Sequence, residues 1–456
     1  MSVSARIFLW LYSLILFLFQ PVLALYLLKR GIRQPEYRQG WGQRFLASLP
    51  EFRSVPGGQK RIWVHAVSVG EAHAISPLVQ HWAKVYPQHE WAVSCTTPTG
   101  LATCRQLYST LNQVQFFYLP YDLPYLVART LKQVRAHSLW VVETELWPNL
   151  LLGAAKAKVH TALLNARVSP NTGKRLAQLG LVSRPVLQSV GTLIAQTQAD
   201  AAVFEKIGRP VDAVCGNLKF DVALKPDLAT MGRDWREAAQ AEQVVLFASS
   251  REGEEALLLD ALNRCQFFKR MPKASVWIVP RHPQRFDAVF ELMAEAATRM
   301  GVARPVRRSA SFNAGSNIAL AGFGQARLVL GDSMGEMPAY YSVADLALLG
   351  GSWLPFGGQN LIEACAYGCP VWMGPNTFNF AKAAEDALAA RAARRFEHLL
   401  AACEFYLSGF QGFDEAKKAA FAYARGHRGA TQRSFDVLNL PTQLPAADRL
   451  SEPKAD

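Results

Sequence analysis

The chain has 456 residues, half of them hydrophobic, which is enough for two ordinary domains with sizeable cores plus appendages. Lys and Arg total 49 against 36 for Asp and Glu, and the resulting +13 suits a polyanionic partner such as an acidic membrane surface or a phosphorylated substrate. The sequence contains no nucleic-acid module and no basic tail with interleaved aromatics, so nucleic acid is not the expected partner.

From Ile7 to Leu28 no side chain carries a full charge, and Trp10, Tyr12 and Tyr26 lie near the ends of the run. Crossing a bilayer takes ~20 apolar residues, and Pro21 is tolerable in such a helix. Lys29, Arg30, Arg33, Arg38 and Arg44 follow against a single acid, Glu36. The positive-inside rule then predicts a single-pass anchor over residues 1–30, with the rest of the chain in the cytoplasm. Val22-Leu-Ala24 loosely resembles a cleavage site, but the run exceeds a usual signal core and the cations beyond it oppose export. A helix lying in the interface would need a polar face, and this one is apolar all round.

After a basic, Gly/Pro-marked connector, strand-like runs alternate with helical ones. The predicted strands are Ile62–Val69, Trp91–Thr96, Val114–Leu119, Leu139–Glu143, His160–Ala166, Leu193–Gln196 and Ala213–Gly216. The pattern lapses around Asp221–Ala229, and a second series follows: Val244–Ala248, Ser275–Val279, Leu328–Leu330, Ala347–Leu349 and Pro370–Met373. Such alternation predicts an α/β protein with two doubly wound, Rossmann-like halves facing a cleft. The expected domains are 31–224 and 225–412, and 413–456 would hold a bracing helix at Asp414–Arg425 and a disordered tail from Leu440.

In the first half, Arg61-Ile-Trp-Val-His-Ala-Val-Ser-Val-Gly-Glu71 runs from a strand into a helix. A carboxylate at a strand's carboxyl end, behind a glycine, is a general-base candidate; equally, an acid there favours a helix start. Glu143 and Glu145 end another strand-like run. At period two they would share a face if the strand persisted, which is costly unless one is bound, protonated or solvent-facing. Lys219 lies just before the boundary.

In the second half, Gly331-Asp-Ser-Met-Gly-Glu336 follows an apolar run and precedes a helix, so Ser333, Met334, Gly335 and Glu336 stand where an anion is favoured. Gly350-Gly-Ser and Gly357-Gly-Gln-Asn-Leu-Ile-Glu363 repeat the arrangement. Asn360 is a plausible N-cap and Glu363 lies one turn on, where a carboxylate can accept from two ribose hydroxyls or simply complete a capping pair. Arg281, between Pro280 and His282-Pro283, follows another strand and is a candidate for phosphate or base. The seven cysteines are scattered without a C-x-x-C, and the histidines contain no H-E-x-x-H. Buried free thiols, no metal site and no cofactor are expected.

The stretches HAVSVGE, TTPTG, YLPYDLP, ETELWPNL, NARVS, GNLKFD, REGEE, VPRHPQRF, GDSMGEM, GGQNLIEA and MGPNTFNF, in this order, closely resemble the Kdo transferases. These are the 3-deoxy-D-manno-octulosonic acid transferases of Gram-negative lipopolysaccharide assembly. The resemblance implies a GT-B glycosyltransferase at the inner membrane that moves Kdo from CMP-Kdo onto lipid A precursor, with inversion and without a metal. It implies Glu71 as the base and Glu143 and Lys219 as supports of the transition state. Pro280, Arg281, Met334, Gly335, Glu336 and Asn360, Leu361, Ile362, Glu363 are implied to hold CMP, with Ser333 beside them as a phosphate donor. Expected partners are the CMP-Kdo donor, the lipid A precursor and the anionic inner-membrane surface. Arg251 stands where the family usually has histidine, and Gln359-Asn-Leu-Ile replaces His-Asn-Pro-Leu. A transferase of another nucleotide sugar and a silent nucleotide-sugar binder are the competing classes; a pure binder has no use for a base.

Overall fold

The computed structural model describes residues 2–57, 59–111, 113–168, 170–221, 224–311, 326–409 and 412–440. The proposed tail from 441 on lies outside them. The chain divides into two compact units, Met1–Asp221 with Arg428–Asp456, and Val222–His427.

In the first unit the strands are β1 Arg61–His65, β2 Glu90–Cys95, β3 Val114–Tyr118, β4 Ser138–Val142, β5 His160–Ala166, β6 Thr192–Ala195 and β7 Ala213–Val214. They form one sheet in the order β3-β2-β1-β4-β5-β6-β7, every neighbour parallel. The order reverses between β1 and β4, so the carboxyl ends of these two strands flank a crevice. Trp63, Trp91 and Trp140 are fully buried on the sheet, as suits strands covered by helices on both faces. The helix Ala430–Asn439 returns from the chain's end to pack on the helix that follows β1, with Phe435 against His81 and Trp82.

Helix α1 (Val3–Arg33) is long and apolar enough to cross a membrane, and its most apolar window is not buried in the protein. One line of it nevertheless touches the first unit. Tyr12 Oη donates to Asp122 at 3.1 Å, Asn149 Nδ2 to Ser13 Oγ at 3.1 Å, and Gln20 Nε2 to Tyr125 Oη at 3.1 Å. A short helix, α2 (Trp41–Leu46), follows the basic connector.

In the second unit the strands are β8 Gln243–Ser250, β9 Ala274–Pro280, β10 Val306–Arg307, β11 Leu328–Leu330, β12 Leu346–Leu349, β13 Val371–Met373 and β14 Ala393–Arg395. The order is β10-β11-β9-β8-β12-β13-β14, again all parallel. The sequence pattern missed the short edge strands β10 and β14, because two or three residues carry no readable period. The lapse around Asp221–Ala229 is shorter than it reads. Pro226 opens a helix, Pro226–Ala239, since proline fits the first turn whose N–H groups have no partner. That helix buries Trp235 against Trp277 and Tyr340, with ring centroids 5.9 and 5.1 Å away. The helix Phe413–Gly426 packs on Leu361–Ala366 within this unit. All seven cysteines are free, and all but Cys265 are buried.

Gly232 lets Pro226–Ala239 approach the helix Met337–Val343 closely: a Cβ there would stand 2.4 Å from the Ala339 carbonyl oxygen. Backbone cannot yield as a side chain does. Gly232→Val is therefore expected to destabilise the second unit by about 1–3 kcal/mol, the cost of overpacking. Urea unfolding measures this, and an unchanged midpoint would contradict the close contact.

Candidate active site

Strand β1 ends at His65, earlier than the apolar run suggests, and helix α3 (Val69–Val85) starts four residues on. Ala72, Ile75, Leu78, Val79 and Trp82 bury one face of it. Ser68 is its N-cap: its hydroxyl oxygen accepts from the Glu71 N–H at 3.4 Å and its O–H donates to Glu71 Oε1 at 2.9 Å. Glu71 Oε2 accepts from the Val67 N–H at 2.7 Å. Both oxygens of the carboxylate are therefore held by the turn that precedes the helix, in the manner of a capping box. The Val67 carbonyl is in turn held by Cys95 Sγ, Thr96 Oγ1 and Thr97 Oγ1 at 3.2–3.3 Å, all from the end of β2. Glu71 is only 7 % exposed. Burial pushes its carboxyl up to about 7, against the pull of the Val67 and Ser68 hydrogen bonds and with help from the charges of Glu143 and Glu145.

Across the order reversal, β4 stops at Val142. Glu143 adopts a left-handed backbone, φ 58°, while its N–H donates to the Leu164 carbonyl at 2.8 Å. The strand therefore does not persist through Glu145, and the alternation argument that put both acids on one face does not apply. A non-glycine residue held there is a strained position of the kind found at functional sites. Lys219 Nζ meets Glu143 Oε1 at 2.6 Å from a turn, Leu218–Phe220, beyond β7. That turn is seated by Asn165 at the end of β5, whose Oδ1 accepts from the Leu218 N–H at 3.0 Å. Glu145 is also raised, by burial first and then by Glu143. Glu71, Glu143 and Lys219, far apart in sequence, thus converge at one end of one sheet. Ser68 and Asn165 were not singled out from sequence, although Ser-x-x-Glu was a readable cue for the first.

In the second unit, Arg281 follows β9, its N–H bonded to the Ser250 carbonyl at 3.0 Å, and its side chain is exposed, with no ion pair among the described residues. Pro280 is the buried last residue of that strand. Asn360 caps the helix Leu361–Ala366, its Oδ1 accepting from the Ile362 N–H at 3.0 Å. Leu361 and Ile362 are fully buried, and the Ile362 N–H is taken by Asn360, so these two residues serve the helix start and present no surface of their own. Burial raises the Glu363 carboxyl, while Lys225 and Arg281 act to lower it, so those three charges lie near one another. After β11, the Ser333 hydroxyl donates to Glu336, shares a 2.7 Å bond with Tyr340, and Glu336 binds Arg308 at 2.7 Å. Gly335 has φ 79° and open space where a Cβ would be, and Met334 is exposed.

The Gly350-Gly-Ser joint has a different task from the one its glycines suggest. Fully buried Glu254 accepts from the Gly351, Trp353 and Leu354 N–H groups at 2.7, 3.0 and 3.3 Å, and from Arg251 N–H at 2.9 Å. These donors are occupied by the protein itself, at the reversal between β8 and β12. Glu255 beside it accepts from Arg285 Nη1 and Nη2 at 2.7 and 2.8 Å. Among the described residues no group of three or more His, Cys, Asp or Glu side chains could hold a metal ion.

Two parallel α/β units of this order define a GT-B type fold, which solved structures share. The UDP-GlcNAc 2-epimerase from Neisseria meningitidis bound to UDP-GlcNAc matches with a TM-score of 0.53 at 15% identity, over 83% of this chain and 99% of that one. Residues 39–222 match the family described as 3-Deoxy-D-manno-octulosonic-acid transferase (kdotransferase). The 3-deoxy-D-manno-octulosonic acid transferase of Bordetella pertussis is 38% identical over 390 residues, covering 83% of this chain and 86% of the relative. The Haemophilus influenzae enzyme of the same name is 27% identical over 94% of this chain and 97% of its own. The chain belongs to the 3-deoxy-D-manno-octulosonic acid (Kdo) transferase family, and is a glycosyltransferase.

The Glu71 carboxyl titrates above its ordinary value, so the folded state prefers the protonated acid. The resulting cost is absent below the unfolded pKa and grows as pH rises through about 7. Glu71→Gln removes it. Relative to wild type, the variant should gain up to about 3 kcal/mol between pH 5 and pH 8. Urea denaturation across that range measures the gap, and a pH-independent gap would contradict the burial of this charge.

Proposed function

We propose that this enzyme transfers Kdo from CMP-Kdo to a hydroxyl of the lipid A precursor, with inversion and without a metal, in lipopolysaccharide assembly. The acceptor belongs to the first unit and the donor to the second. The observation that carries the reading is the Glu71 box: a buried carboxylate, oriented through both oxygens, beside the Glu143–Lys219 pair. A base poised near neutrality is matched to removing a proton from an alcohol as it attacks. In the step itself, the acceptor oxygen forms its bond to the anomeric carbon of Kdo while the bond to the CMP phosphate breaks. The hydroxyl proton passes to Glu71, and the electron pair leaves with CMP.

The anomeric carbon gains positive character as the phosphate departs. Glu143 can stabilise that charge, and Lys219 both neutralises Glu143 at rest and suits the sugar carboxylate. For the donor, Arg281 is an exposed cation at the end of β9, and the open backbone at Gly335 admits a phosphate close to the chain. Glu363 is a carboxylate suited to a pair of ribose hydroxyls. Helix α1 and the basic residues after it suit a single-pass protein of the inner membrane with its catalytic units on the cytoplasmic side, where the acceptor's phosphates meet cations.

Glu71→Gln is expected to lower turnover at least ~100-fold while CMP binding survives. In the wild type, kcat/KM should rise with pH through about 7, because the ionised base is the active form. Transfer from radiolabelled CMP-Kdo to lipid A precursor measures both. Near-normal turnover in the variant would remove Glu71 as the base, and no transfer by the wild type would remove the reading.

A further inference from the structure

Helix α2 has two unlike faces. One faces α1 across an open apolar groove of about 600 Å³, whose walls include Phe17, Pro21 and Ala24 of α1 and Trp41, Phe45 and Leu46 of α2. Leu18 beside it and Leu46 are each more than 60 % exposed, so the rim of the groove presents apolar surface. The other face carries Arg44, which is 4 % exposed and, among the described residues, has no carboxylate partner. Its guanidinium lies 4.0 Å from the Tyr118 ring centroid, with Tyr37 and Tyr121 also around it, and burial lowers its pKa. Its Nε and Nη2 are buried and meet no acceptor. A buried cation with unused donors is an anion receptor in want of an anion.

This place is tied to the base. Gln43 of α2 accepts from the Tyr118 N–H at 2.8 Å, and the Tyr121 N–H donates to the Arg44 carbonyl at 3.0 Å. Tyr118 pairs in register with Cys95, whose thiol holds the Val67 carbonyl, and Val67 holds Glu71. Arg44 and Glu71 therefore lie at the same end of the same sheet. Phe45 joins the two faces, its ring centroid 4.9 Å from that of Tyr121. Lys29, Arg30 and Arg38, at the end of α1 and in the connector to α2, are exposed, against Glu36 as the acid of that stretch.

We propose that α2 divides an amphiphilic acceptor, its groove with α1 taking an acyl chain and Arg44 taking a phosphate of the same glycolipid. This rests on the reading above that the acceptor is a phosphorylated glycolipid, and it adds where that molecule is held. The hydrogen bonds of Tyr12, Ser13 and Gln20 hold α1 against the first unit, so the apolar helix is a wall of the site. A lipid drawn from the bilayer keeps its chain in apolar surroundings while its head group moves toward Glu71.

The full-length enzyme is assayed with lipid A precursor, with the same lipid after phosphatase treatment, and with the lipid after alkaline removal of ester-linked chains. Arg44→Gln should raise the KM for the phosphorylated acceptor by ~10-fold or more, the scale of one lost charge-assisted hydrogen bond, and much less for the phosphatase-treated one. Ala24→Trp, which fills the groove, should raise the KM for the acylated acceptor by a similar factor and lose most of that penalty on the deacylated one. CMP binding serves as the fold control for both variants. Should Arg44→Gln not fold, Arg44→Lys, which keeps the charge but not the fork, replaces it with a smaller expected rise. Acceptor KM values within twofold of wild type in both variants overturn the proposal. An equal loss of binding to phosphatidylglycerol vesicles would also overturn it, since the site would then take bulk anionic lipid. If the wild type transfers no Kdo, direct binding of radiolabelled lipid A precursor decides: loss in both variants upholds the site while the reaction assigned above falls, and unchanged binding overturns both.

Discussion

The removal of one carboxylate from water at the end of β1 is the constraint from which the first unit's chemistry follows. An isolated buried acid would simply take up a proton, and burial alone drives Glu71 in that direction. The Ser68 hydroxyl and Val67 N–H pull it back, so the group rests near neutrality instead of at either extreme. The same bonds fix its direction. The cap that starts α3 is therefore also the device that aims the base, and the helix could not be re-registered without losing it.

That turn depends on its neighbours. Three donors from the end of β2 converge on the Val67 carbonyl, which makes the TTPTG stretch a support for the base. On the other side of the reversal, Glu143 leaves its strand through a left-handed residue and is met by Lys219. A negative group so near Glu71 contributes to the raised pKa, and the lysine limits how large that contribution becomes. The second unit meets the corresponding problem differently. Glu254 closes the reversal between β8 and β12 with four backbone N–H groups, and leaves Arg281, Gly335 and Glu363 at the flanking strand ends.

Much of this was legible in the chain. Apolar runs of buried parallel strands, separated by helical periods, gave the central strands of both sheets to within a few residues. The positions of Glu143 and Arg281 directly after a strand, and of Glu71 and Glu363 in the first turn of a helix, were readable from the same pattern. The edge strands β10 and β14, the helix at Pro226 and the return of Ala430–Asn439 to the first unit were not legible, since each rests on contacts made far away in sequence. The glycines of Gly350-Gly-Ser looked like a ligand cradle because a glycine's freedom does not tell whose carboxylate approaches it.

The sequence by itself determined the apolar helix, the alternation that forces two parallel sheets, and the residue types available at the strand ends. These are properties of short windows, where period and charge suffice. Only the tertiary structure decided that Lys219 meets Glu143 across 76 residues, that Glu71 is held through both oxygens, and that Arg44 is enclosed by tyrosines without an acid. Strand order sets which loop ends become neighbours, and burial sets what a charge costs there; neither is a property of any one stretch of chain.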